Sequence, residues 1–159
     1  MSSKSHEETR LTRPFQAALY EHARIAARRA HARLGGPLTQ ANLEQFLTDE
    51  LCLRYPTRII FDRTGLEPHQ VAQPLYRESR EGIFYDLHVD PALQQAPEHL
   101  YLVVAYMAAV INYGDAATPE LAELLGALLT DIEQEPFYEK LCAIADSVIA
   151  VSAFRDMNG

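Results

Sequence analysis

Apolar positions in the first third of the chain recur at helical spacing. Phe15, Leu19, His22, Ala26 and Ala30 fall near one another on a helical surface, with Ala18 and Ile25 beside them. Arg24, Arg28, Arg29 and Arg33 populate the remainder of that surface. Thr12 as N-cap and Pro14 in the first turn predict where this helix starts, and Gly35-Gly36 predicts its end after Leu34. A second helix is expected from Thr39, carrying Leu43, Phe46, Leu47, Leu51 and Arg54 at helical spacing. Tyr55-Pro56 should end it, because the residue before a proline is pushed out of helical geometry.

The pattern then changes. Residues 57–62, Thr-Arg-Ile-Ile-Phe-Asp, are rich in β-branched and aromatic types and predict a strand, broken by Gly65. The stretch from Leu66 to Arg80 contains Pro68 and Pro74 and reads as a loop with a short helical turn. Gly82 to Val89 alternates cleanly and predicts a second strand. Beyond Pro91 and Pro97, Glu98 to Tyr113 is apolar nearly all round, as expected of a helix at the centre of a core or one covered by a partner. Gly114 stops it. Thr118-Pro119-Glu120 opens another helix with cap, first-turn proline and first-turn acid in order, and a last helix runs from about Pro136 to Val151.

Helix, helix, strand, strand and then three helices do not alternate as βαβ units. The fold class expected is therefore α+β, mainly α-helical, with about five helices and a small antiparallel two-stranded hairpin between helices 2 and 3. A chain of 159 residues fits one domain, placed at residues 12–154. Residues 1–11 are polar and are expected to form a disordered tail. The longest apolar run, Leu100 to Ile111, is too short to span a bilayer. No signal-peptide pattern precedes it. Cys52 and Cys142 sit among apolar neighbours, which predicts two buried thiols and a cytoplasmic setting.

Charge narrows the choice of partner. The net charge is −8, which disfavours phosphate contacts and hence nucleic acid. Residues 1–63 carry ten Lys/Arg against seven Asp/Glu, whereas residues 64–159 carry four against fifteen. Such halves can attract each other within one chain or across a dimer. Only Lys4 and Lys140 are lysines, so the positive charge is nearly all arginine.

The second strand offers the best candidate chemistry. Side chains alternate across a strand, so Phe84, Asp86, His88 and Asp90 share one face and Ile83, Tyr85, Leu87 and Val89 share the other. Two carboxylates and an imidazole in a row suit a divalent cation or a polar ligand, and Glu98 or His99 could fold back to complete a site. The simpler reading is a half-buried strand showing its polar face to water. Side chains two apart on a strand also lie about 7 Å apart, so one ion cannot reach them all without a twist or bulge. No metal and no cofactor are expected. His22 on the first helix reads as a satisfied core histidine, and Tyr101, Tyr106 and Tyr113 as core or contact residues.

No G-x-S-x-G elbow, P-loop, G-x-G-x-x-G, H-E-x-x-H or C-x-x-C occurs. The sequence therefore favours a non-enzymatic protein-interaction or accessory domain. Its partner would be another protein or a second copy in a homodimer, with no nucleic acid and no membrane. The alternative is a small enzyme or ligand- or metal-binding protein using Asp86, His88, Asp90 and His99, between strand 82–90 and the start of helix 98–113.

Overall fold

A computed structural model describes the backbone of residues 2–158 and the side chains of residues 14–155. The chain runs α1 (Ser2–Leu34), α2 (Leu43–Thr48), β1 (Thr57–Ile60), β2 (Ala72–Ser79), β3 (Gly82–Val89), α3 (Pro97–Tyr113), α4 (Pro119–Thr130) and α5 (Gln134–Asn158). Short 3-10 turns at Pro91–Gln95 and Gly114–Ala116 lead into α3 and α4. The expected class holds: a mainly helical α+β fold with five helices, and the sheet has three strands where two were expected.

The helical backbone of α1 starts at Ser2, ahead of the expected cap at Thr12, so it includes most of the segment read as a tail. Met1 and the side chains of residues 2–13 lie outside the described residues. Ala23, Ala27 and Ala30 are buried, and their small side chains let α1 approach α4 closely. The second helix is shorter than the spacing predicts. Asp49 turns extended after Thr48, and its carboxylate accepts the Leu51 N–H at 2.9 Å. Its backbone carbonyl takes the N–H groups of Cys52 and Leu53. A local side-chain bond thus replaces the helical ladder, and residues 50–54 become an irregular wall facing α1.

The sheet corrects the expected hairpin. Its order is β1-β3-β2, with β1 parallel to β3 and β2 antiparallel to it. Residues 72–79 are a strand rather than a loop. Pro74 is compatible with that because β2 lies at the sheet edge, where a missing N–H can face away from the ladder. The chain leaves β1, crosses the end of β3 and returns as β2, so β1 and β3 run the same way. One hydrophobic core joins all these elements, from Ala23 to Val148. Helix α3 lies at its centre, with Leu102, Val104, Ala105, Ala108 and Ile111 buried. The sheet, α4 and α5 all touch it within one chain.

Candidate functional site

The polar row of β3 does not face water. As the central strand, β3 is paired along both edges, and Asp86, His88 and Asp90 are buried, Asp86 beneath two arginine side chains that themselves reach solvent. Asp86 is clamped between two arginines: Arg58 from β1, bonded through Nε and Nη2, and Arg77 from β2, whose Nε lies 3.2 Å away. Arg58 also stacks over the Phe84 ring, 5.3 Å from its centroid. The hydrogen bond from Arg58 holds the Asp86 carboxyl below the usual carboxylate range, against the opposing effect of burial.

Asp90 is fully buried at the end of β3. It accepts hydrogen bonds from Ser152 Oγ of α5 at 2.5 Å, Arg63 Nη1 at 2.7 Å and the Ala92 N–H at 2.8 Å. Burial alone would raise its pKa, but the three donors together with the Arg63 charge hold it low. His88 Nδ1 stands 2.6 Å from Asp62 Oδ1, and this contact holds the Asp62 carboxyl low. Asp62 and Arg63 belong to the loop crossing the end of β3, so His88 and Asp90 fasten that loop down. Carboxylates held below the ordinary range by the donors around them are weaker proton acceptors, which weakens them as general bases.

His99 is elsewhere. It is exposed in the first turn of α3 and lines a groove with Glu98, Lys140 and Ser147. Among the described residues no three His, Cys, Asp or Glu side chains gather in a group able to hold a metal ion. His88 Nε2 is buried with no hydrogen-bond partner and lines none of the described cavities. Cys52 is buried, in the turn after α2 rather than in a helix, and burial pushes its thiol up to about 11. Cys142 is half-buried and, like Cys52, carries a free thiol.

A different feature is more open. Helix α1, the wall at residues 50–54 and the end of α3 enclose a cleft of about 640 Å³. Leu19, Ala26 and Leu51 give it apolar surface, Arg29, Arg54 and Glu50 give it charge, and His22 adds a polar ring. His22 Nδ1 and the Tyr113 hydroxyl stand 2.8 Å apart in the cleft, so His22 is satisfied by a tyrosine and not within the core. Burial pushes Tyr113 up to about 12, so it keeps its proton at neutral pH. Arg54 is fixed by the Asn112 carbonyl at 3.2 Å and by the Tyr55 ring at 5.0 Å. Sequence reasoning did not place this cleft, because one wall exists only where the second helix breaks off. The one legible hint was the preference for arginine over lysine, since arginine suits planar carboxylate recognition.

No family model, curated protein or solved structure matches the chain. What the fold and the site define together is a mainly helical α+β domain with a buried polar sheet face and an open cleft beside its first helix.

Proposed function

We propose that this chain is a non-enzymatic protein-interaction or accessory domain, one that works as a component of a larger assembly. The observation that carries this reading is the cleft beside α1, which combines apolar surface, charge and openness to solvent. Asp86, Asp90 and the His88–Asp62 pair, by contrast, are occupied in tying the sheet to its loop and to α5. The alternative of a small enzyme or ligand-binding protein would need those residues for chemistry as well as for anchoring.

A partner protein is favoured over a second copy of the chain. The homodimer expectation rested on the opposed charge halves and on an apolar helix that either its own chain or a partner could cover, and the sheet, α4 and α5 of its own chain pack on α3. Arg28 lines one groove with Asp131 and Glu133, so opposed charges already share a groove within one chain. Two free thiols, one of them buried, support a cytoplasmic setting. Among the described residues no helix is long and apolar enough to cross a membrane.

In native extract the tagged chain should migrate well above its own 17.9 kDa. A photo-crosslinker at Leu51 should attach it to another polypeptide, while one at Arg80 in the β2–β3 turn should not. Migration at the mass of the single chain, with no adduct from either position, counts against the reading.

A further inference from the structure

Among the described residues six arginines lie in ion pairs with four carboxylates. Arg24 and Arg28 pair with Glu21, Arg33 with Asp49, Arg58 and Arg77 with Asp86, and Arg63 with Asp90. Arg29 and Arg54 form no ion pair among the described residues, and both line the cleft beside α1. Arg80 and Arg155 are also unpaired, but each lies elsewhere, in the β2–β3 turn and near the end of α5. The cleft thus holds two arginines without an ion pair among the described residues, against one carboxylate, Glu50, on the same lining.

The cleft has a second quality besides charge. Leu51 stands at its edge 47% exposed, with Leu19 and Ala26 of α1 contributing further apolar surface. Small-molecule sites enclose most of their ligand, whereas this concavity lies open along a helix. Grooves of that kind take up an amphipathic segment, apolar side inward.

Resting on the interaction reading above, we infer that the α1 cleft docks an amphipathic segment of another protein, with its apolar side chains against Leu19, Ala26 and Leu51 and flanking carboxylates on Arg29 and Arg54. Arginine presents two parallel N–H donors to a carboxylate, so each contact fixes orientation as well as sign. Arg54 is already held by Tyr55 and Asn112, which lowers the entropy lost on docking. Glu50, on the same lining, disfavours a segment with acids spread along its whole length. The overall charge of −8 works against a nucleic acid and leaves attraction to carboxylates local to the cleft.

The test uses the full chain and labelled synthetic helical peptides, read by fluorescence anisotropy. One peptide carries a leucine face flanked by glutamates, a second has those glutamates replaced by lysine, and a third has them replaced by glutamine. The glutamate peptide should bind best. R29E/R54E should weaken it by at least about tenfold, as loss of central arginine contacts does, and should gain the lysine peptide. Leu51→Asp should weaken all three. R29E/R54E should stay folded, with melting lowered only by the loss of the Arg54 contacts to Asn112 and Tyr55, whereas R29E alone should melt with the parent.

Equal binding of the glutamate peptide by parent and R29E/R54E overturns the proposal. So does full competition by glutarate alone, which makes this a small-anion site, or tighter binding of a single-stranded RNA through the same arginines. Sedimentation at twice the chain mass, abolished by R29E/R54E, overturns it in favour of a second copy. A crosslinked partner that protects another surface in hydrogen exchange overturns the site while leaving the interaction reading standing.

Discussion

The Ser152 hydroxyl of α5 donates to the Asp90 carboxylate at the end of β3, 2.5 Å away across 62 positions of sequence. Both residues are buried, so this bond closes the C-terminal helix onto the sheet. Arg63 meets the same carboxylate from the loop between β1 and β2. One side chain therefore joins three separate stretches of chain.

Asp90→Ala should cost about 3–5 kcal/mol of stability, because it leaves a partly buried guanidinium and a buried hydroxyl without their acceptor. Asp90→Asn should cost less, since its amide oxygen can still accept one or two of the bonds. Urea titration followed by circular dichroism measures both. An Asp90→Ala variant as stable as the parent would show that the junction contributes nothing.

Acid should destabilise the fold through the same residues. Asp62, Asp86 and Asp90 are all held below the ordinary carboxylate range, by His88, by Arg58 and by the Ser152-led donors respectively. A carboxyl whose folded pKa is depressed adds stability above its unfolded value of about 3.9 and loses it as pH falls through the folded value. Stability should therefore stay level with respect to these groups from neutrality to about pH 5 and then drop steeply. An Asp86→Asn/Asp90→Asn chain should start lower and show a shallower drop.

Gly126→Ala should destabilise the protein although alanine is the better helix former by about 1 kcal/mol. A Cβ at this position of α4 would lie 2.5 Å from Cε1 of Phe137, whose ring is fully buried in the core. Overpacking of that kind costs about 1–3 kcal/mol. Phe137→Leu in the same chain should recover part of the loss, which a double-mutant cycle on melting temperature reads directly.

Leu102→Asp and Val103→Asp should each remove folded protein. Both residues are about 5% exposed in α3, and an unpaired buried charge costs more than about 4 kcal/mol. Unchanged melting of both variants would show that α3 is not central to the core.

Much of the helical frame was legible because its signals are local. Thr118 caps α4 by accepting the Leu121 N–H at 3.1 Å, with Pro119 in the first turn, as the residues by themselves predict. Gly114 ends α3 at a positive φ of 59°, and of the two readings that the absent polar face allowed, the centre of a core or cover by a partner, packing within the chain realises the first. The strand at residues 72–79 was masked by Pro74, whose compatibility with a sheet depends on being at an edge. Edges are not encoded locally.

The sequence by itself determined the class of fold, the limits of α3, the start of α4, and which strand residues carry the polar groups, because capping, periodicity and alternation act over a few neighbours. Tertiary structure alone decided that β3 is the central strand, so the side chains of a polar face suited to water became buried beneath ion-pair partners from β1, β2 and the loop between them. It also decided which arginines found carboxylates: Arg58 meets Asp86 across 28 positions, while Arg29 and Arg54 meet none. The physical reason is one of range. Pairing of charges and covering of faces are settled by the directions in which whole elements pack, and those directions come from contacts between residues far apart in the chain.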